Sequence, residues 1–477
     1  MDLEISVQMI VEQIYTKCLS QGSYYIESEG EAAVIDPLRE IDSYIERASK
    51  RKAKIKYVFE THFHADFVSG HISLANKTGA QIIYGPGGET SYDSYEAKDG
   101  EIFRLGNLSI LTMHTPGHSM ESTSFLLRDS EGKDHALFSG DTLFLGDVGR
   151  PDLANKRANM TKEELAERMY ESLHNKILPL SDDIIVYPGH GAGSACGKNM
   201  MKETVDTLGN QKKINYALQP MSKEKFITAL TDGLLPPPIY FPFNVMMNKE
   251  GYDDIADVIM RSMKALSPEE FESIAMEKNA VVLDVRHQSN FIAGHIPDSL
   301  FIGIDGSFAP WVGAIIGDVN KPILIVAPKG REEETVIRLA RVGFDNVLGY
   351  LKGGIEDWKA TGRVVSKLKS VSASELEQKI AEGAQVFDVR KPGEYKAEHI
   401  EKVPNTPLDY LDKHIGEFPV DQDFYLHCAG GYRSVIAASI LKARGFHKVM
   451  DVAGGYGAIK KTGINRTEVV SCSSVPS

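Results

Sequence analysis

The stretch Thr61-His62-Phe63-His64-Ala65-Asp66-Phe67 stands one residue beyond the apolar run Ile55-Lys56-Tyr57-Val58-Phe59. A β-rich run that stops at a cluster of imidazole and carboxylate reads as a strand delivering metal ligands to the loop at its end. Three later stretches answer it: Thr115-Pro116-Gly117-His118, Ser139-Gly140-Asp141-Thr142 and Tyr187-Pro188-Gly189-His190. Each sets a His or Asp beside Gly, or beside Pro and Gly, inside or just after an apolar run. A single histidine is an ordinary core or surface residue, but four such sites in one span point to a shared metal centre.

In this order, H-x-H-x-D, T-P-G-H, S-G-D and P-G-H, the motifs resemble the metallo-β-lactamase fold over roughly residues 1–250. That resemblance implies an αββα sandwich, two facing sheets flanked by helices, with metal at one edge. The dinuclear zinc form of the motif reads H-x-H-x-D-H, and its last position is here Phe67, which cannot ligate. A one-metal centre is therefore expected. The sequence is similar to the persulfide dioxygenase branch of the fold, which implies iron held by His62, His118 and Asp141. Two imidazoles and a carboxylate with open positions form the facial triad that suits non-haem Fe(II), one per chain. Zinc would recruit His64 as well and close toward a tetrahedron. His64, Asp66 and His190 are expected to surround the ligands and fix their ring tautomers.

At 477 residues the chain is too long for one core, so several domains are expected. Its apolar fraction of 42% and charged fraction of 25% are those of a soluble globular protein. A net charge of −13 argues against nucleic acid or an anionic membrane surface as partner. The cysteines Cys18, Cys196, Cys428 and Cys472 are too few for a disulfide framework and fit a reducing compartment. Met1-Asp2-Leu3-Glu4 has no basic or apolar signal region, and no apolar run is long enough to span a membrane, so a cytoplasmic location is expected.

Thr161-Lys162-Glu163-Glu164 is a capping box, and Leu165, Met169, Leu173 and Ile177 follow at i,i+4 spacing, an amphipathic helix. Residues 234–243, Leu-Leu-Pro-Pro-Pro-Ile-Tyr-Phe-Pro-Phe, read as neither helix nor central strand, because Pro lacks the donor N–H. The first domain, 1–255, is placed to end shortly after them. The rest contains a repeat. Asp284-Val285-Arg286 recurs 104 residues on as Asp388-Val389-Arg390 and His295-Ile296 likewise as His399-Ile400, while Gly353-Gly354 recurs 101 residues on as Gly454-Gly455. Capping boxes at Ser267–Glu270 and Ser372–Glu375 open the copies. Alternating short β-rich and helical patterns imply two small α/β domains with parallel sheets, at 265–365 and 370–466.

In the second copy the strand-like Phe424-Tyr425-Leu426-His427 runs into Cys428-Ala429-Gly430-Gly431-Tyr432-Arg433-Ser434 and then a helical pattern. This puts one thiol among backbone N–H groups at a helix N-terminus, where the dipole and Arg433 favour thiolate. The same donors, from Ala429 to Tyr432, would cradle a persulfide or an oxyanion. The loop and the D-V-R motif resemble the rhodanese sulfurtransferases, although Glu398 stands where the family usually has Gly before His-Ile. In the first copy Ala327 takes the place of the thiol and Glu332 that of Arg433, so it resembles an inactive rhodanese-homology domain with a scaffolding role.

The whole chain is similar to fused persulfide dioxygenase–sulfurtransferases. That resemblance implies an enzyme that oxidises a low-molecular-weight persulfide with O2 at Fe(II) to sulfite. Cys428 then transfers sulfane sulfur to sulfite, giving thiosulfate in sulfide detoxification. The small-molecule partners are a thiol persulfide, O2 and sulfite, and self-association into a homo-oligomer is expected. Two other readings stand beside it: a zinc glyoxalase-II-like thioester hydrolase fused to a sulfurtransferase, or a non-enzymatic persulfide sensor. Phe67 argues against the first, and Cys428 with Arg433 against the second. Cys196, six residues after His190 in a Gly-rich segment with Lys198, is expected to be exposed and somewhat acidified, either a sulfur shuttle or a plain loop cysteine. Arg150 either positions an anionic substrate or is salt-bridged in its loop.

Overall fold

The computed structural model describes residues 9–153, 160–234 and 236–468. Cys472 and the tail beyond 468 lie outside them, as does Leu235. The chain divides into two compact units, one running through Val258 with the short stretches 317–319 and 339–344, the other holding the remainder.

The first unit contains two six-stranded sheets. One is ordered β1 (Ile10–Thr16), β2 (Gln21–Ser28), β3 (Glu31–Ile35), β4 (Lys54–Phe59), β5 (Gln81–Tyr84) and β6 (Tyr95–Glu96). The other runs β12 (Asp206–Thr207), β11 (Ile185–Pro188), β10 (Asp134–Gly140), β9 (Thr123–Arg128), β8 (Leu108–His114) and β7 (Ile102–Leu105). Strand periodicity sorts their side chains: Phe125, Leu127, Ala136 and Phe138 meet Ile26, Ile35 and Phe59 between the sheets. The alternate residues Leu126 and Leu137 face the other way, onto Ala166, Met169, Leu173 and Ile177. Those helical residues belong to Lys162–Ser172, capped reciprocally by Thr161 and Glu164, and to its π-helical continuation Leu173–Ile177. Helix Asp42–Arg51 covers the outer face of the first sheet through Tyr44 and Ala48. The result is an αββα sandwich.

One expectation fails. Residues 241–243 are helical, in the first turn of Phe241–Glu250. Pro242 sits at the start of that helix, where its missing N–H would have had no partner, so the ring is tolerated.

The second unit holds two wholly parallel sheets, as the repeat predicts. The first has the order β13 (Ala265–Leu266), β17 (Val347–Leu351), β16 (Ile323–Val326), β14 (Val281–Asp284), β15 (Leu300–Phe301). The second has β18 (Lys369–Val371), β21 (Val449–Val452), β20 (Phe424–His427), β19 (Gln385–Asp388). Repeated residues do repeated work. Arg286 clasps Asp284 and the carbonyl of Gly294, and Arg390 clasps Asp388 and the carbonyl of Glu398. Because the clasp uses a carbonyl, Glu398 replaces Gly without loss. Gly353 and Gly454 both take positive φ as they open helices. Among the described residues no helix is long and apolar enough to cross a membrane.

Candidate metal centre and cysteine loop

The four motifs converge at the ends of β4, β8, β10 and β11. His62, His118 and Asp141 offer ligand atoms within 4.8 Å of one another, and all three are buried. Nε2 of His62 lies 3.8 Å from Asp141 Oδ2, and Nε2 of His118 lies 3.5 Å from the same oxygen. Each ring is held from behind through Nδ1. A backbone carbonyl can only accept, so His118 Nδ1–H donates to Arg150 O at 2.9 Å. The Thr61 hydroxyl donates to Asp36 Oδ2 at 2.8 Å, so at 3.0 Å it accepts from His62 Nδ1–H. Both tautomers therefore present a bare Nε2 towards Asp141. Burial, and then the neighbouring imidazoles, hold His62 well below the usual imidazole value, so it stays a neutral donor.

His190 and Asp66 lie on the other side of Asp141, with His190 Nε2 3.6 Å from Asp141 Oδ1 and 3.5 Å from Asp66 Oδ2. Burial opposes charge on His190, but Asp141 and Asp66 outweigh it and raise its pKa. Burial raises Asp66. The His64 ring packs at a tilt against Phe67, centroids 4.3 Å apart, and its Nε2 lies 3.1 Å from Asp36 Oδ1 and 3.6 Å from Glu60 Oε2. Asp36 and Glu60 were not singled out in the sequence. The signal was an acidic residue closing each of two apolar strands, at Ile35-Asp36 and Phe59-Glu60.

A metal fits this site. Both oxygens of Asp141 and both ring nitrogens of His190 are buried without a hydrogen-bond partner among the described residues. Buried polar atoms in that state are costly unless a cation or solvent meets them.

The structure overturns the expectation for Cys196 and shows the salt-bridged alternative for Arg150. Cys196 is buried, not exposed, and lies within 4.8 Å of ligand atoms on Asp141 and His190. Burial, followed by Asp66 and Asp141, pushes its thiol well up rather than acidifying it. Lys198 does not offset this, because its ammonium donates to the carbonyls of Ala229 and Asp232. Arg150 is bidentate to Asp152 at 2.7 and 2.8 Å and donates to Ala195 O, the salt-bridged arrangement.

In the second unit Cys428 directly follows β20 and is buried, while Ala429 and Gly430 are exposed. Gly431 N–H donates to Cys428 Sγ at 3.1 Å as the backbone turns through positive φ into helix Tyr432–Ala443. Gly455 lets the next loop press against Cys428, since a Cβ there would meet the Cys428 carbonyl at 2.4 Å. Arg433 is bidentate to Glu394 at 2.6 and 2.8 Å, a partner the sequence did not suggest. Tyr432 donates to Gly303 O at 2.7 Å, across to the first copy.

Residues 17–190 match the metallo-beta-lactamase superfamily, and residues 267–361 and 372–462 each match the rhodanese-like domain. A solved metallo-beta-lactamase from Staphylococcus aureus shares 30% identity, covers 73% of this chain and 99% of its own, and superposes with a TM-score of 0.64. The chain belongs to the metallo-beta-lactamase superfamily and carries two rhodanese-like domains. It is 33% identical over 181 residues to a cytoplasmic hydroxyacylglutathione hydrolase of Arabidopsis thaliana, 37% of this chain. It spans 66% of that relative's length, just under two thirds. It is 28% identical over 221 residues to the human mitochondrial persulfide dioxygenase ETHE1, covering 46% of this chain and 78% of ETHE1. In the first rhodanese-like domain, Arg331 bonds Asp305 and Glu334 beside Ala327, and a run of glutamates opens the helix Glu332–Ala340.

Proposed function

We propose that the protein is a persulfide dioxygenase with sulfurtransferase activity, taking one Fe(II) at His62, His118 and Asp141. The observation that carries the reading is this donor set, with both imidazole tautomers locked and Phe67 in place of a further ligand. When bound, Fe(II) supplies adjacent open positions and the electrons for reaction of a persulfide sulfur with O2. The chain's own residues do the rest. Arg150 O and Thr61 keep the ring nitrogens aimed. The overall change takes R–S–S⁻, one O2 and one water to R–SH, sulfite and a proton. Cys428 takes the sulfane sulfur of a second persulfide. Sulfite then attacks that outer sulfur, the S–S bond breaks, and thiosulfate leaves with the Cys428 thiolate restored. Cys196, buried beside the metal donors with its thiol held protonated, is on this reading a plain loop cysteine. Persulfide treatment followed by mass spectrometry should then find Cys196 unmodified.

A second reading rests on His64, Asp66 and His190, whose ligand atoms also lie within 4.8 Å. With the hydrolase relatives, that cluster favours a two-zinc thioester hydrolase. Metal analysis with an oxygen electrode separates the two. One iron per chain with O2 uptake on glutathione- or coenzyme-A-type persulfide is expected; two zinc ions with thioester cleavage and no O2 uptake would overturn the dioxygenase.

A further inference from the structure

Behind the Cys428 loop runs a chain of hydroxyl and carboxylate groups to which the sulfur transfer just described gives no task. Cys428 Sγ lies 3.5 Å from Ser434 Oγ, in the first turn of helix Tyr432–Ala443. Ser434 Oγ donates to Asp451 Oδ1 at 2.6 Å, and Asp451 Oδ2 accepts from Ser370 Oγ at 3.1 Å. Cys428, Ser434 and Asp451 are buried, whereas Ser370 is exposed on the edge strand β18. The chain thus leads from the thiol, through the sheet, to solvent.

A carboxylate buried in a parallel sheet is costly without a cation, and Asp451 is answered by two hydroxyls and the Val452 N–H. Burial pushes it up to about 6. Ser434 has a single hydroxyl proton, and this couples its neighbours. With Asp451 ionised, the proton points to Asp451, and the sulfur meets a lone pair that suits S–H. With Asp451 protonated, the acid donates to Ser434, and Ser434 turns its proton to the sulfur, which suits thiolate.

The other charged groups around the loop are Arg433, which faces Asp409 and Cys428 as well as Glu394, together with Arg390, Asp388 and His427. Arg433 from the helix bonds Glu394, and Arg390 bonds Asp388 at 2.6 Å. His427 lies 3.8 Å from Asp388, and burial keeps it below the usual imidazole value, hence neutral near pH 7. Ser434 is therefore the exchange partner of the thiol.

We propose that Cys428 and Asp451 share one proton through the Ser434 hydroxyl, so that Asp451 receives the thiol proton as the nucleophile forms. Its purpose rests on the sulfur-transfer reading of this loop. In the step, the Cys428 S–H bond breaks as the proton passes to Ser434 Oγ, and the original Ser434 proton passes to Asp451 Oδ1. The thiolate attacks the outer sulfur of R–S–S⁻, a new S–S bond forms, and the old one breaks. R–S⁻ leaves with the electron pair and takes a proton from solvent, so Cys428 is oxidised to the persulfide level while R–S is reduced. After sulfite removes the outer sulfur, Asp451 returns its proton to Cys428 through Ser434. Asp451 touches no reacting atom and is a positioning residue.

The test is the pH profile of Cys428 alkylation by iodoacetamide in the full chain, read on the Cys428 peptide by mass spectrometry. It needs no persulfide, so its outcome is independent of whether sulfur transfer occurs. A shared proton gives the wild type two steps with a plateau between them, separated by about one pH unit or more. Asp451→Asn, whose amide stands in for the protonated acid, should give a single step. Ser434→Ala should give a single step at higher pH, and Ser434→Thr should restore two. A one-step wild-type profile, or a Ser434→Ala profile like wild type, would overturn the proposal, and Ser434→Ala decides it alone if Asp451→Asn does not fold.

Discussion

A buried acid leaves a thermodynamic signature as well as a kinetic one. Asp451 is raised from 3.8 to about 6 in the folded chain, so the folded state binds the extra proton between those values. The sign follows: stability from this group is fully present below pH 3.8 and is lost as pH rises through 6, amounting to roughly 3 kcal/mol. Asp451→Asn should lack that loss, so denaturant midpoints of wild type and variant should diverge between pH 4 and about 6.5 and run parallel above it. At the metal donors, Thr61→Val removes the acceptor of His62 Nδ1–H. It is expected to weaken metal binding by about 10- to 100-fold, measured by competition with a chelator. These two sites also mark what the sequence can say. His62, His118 and Asp141 were legible because each stands in a punctuated motif at a strand end. Asp36, Glu60, Ser434 and Asp451 were not, because what they do lies in hydrogen bonds and close approaches, two of them between residues 17 and 25 positions apart.

Among the elements, the loop–helix junction at Tyr432 carries the sharpest steric constraint. The Tyr432 ring fills the space beside Gly306, where an added Cβ would come within 2.4 Å of the ring, and its hydroxyl bonds Gly303 O. Gly306→Ala should displace the ring and cost about 1–3 kcal/mol. Tyr432→Phe, which removes only the hydroxyl, should cost about 1 kcal/mol. Hydrogen exchange of residues 428–433 should rise in both, and more in Gly306→Ala; unchanged exchange in both would show that the first copy does not steady the loop. Element types were readable where capping boxes and periodicity agree, as at Thr161 and Ser267. They misled where composition was read without position. Pro242 disfavours a helix interior but not its first turn. The Gly-rich setting of Cys196 suggested exposure, yet Gly197 lies where a Cβ would come 3.2 Å from Asp147 and Met200, so the small residues there serve close packing.

For the molecule as a whole, the two proposed chemistries fall in two compact units, so each should be removable on its own. In the proposed function the product of one reaction is the acceptor of the other, and holding both on one chain would raise the local sulfite concentration at Cys428. Cys428→Ser should therefore leave persulfide-dependent O2 uptake intact while sulfite accumulates in place of thiosulfate. His118→Ala should abolish O2 uptake and keep thiosulfate:cyanide transfer. The first copy, proposed to be inactive, offers the converse test. Ala327→Cys supplies a thiol, but Arg331 there is spent on Asp305 and Glu334, and Glu332–Glu334 crowd the helix start with negative charge. An anionic persulfide approaching that thiol meets repulsion where Cys428 offers an N–H donor and a proton-accepting hydroxyl. In a Cys428→Ser background, Ala327→Cys should thus restore little thiosulfate:cyanide transfer, whereas full activity from that one change would mean that the thiol alone, and not the electrostatics around it, decides which copy works.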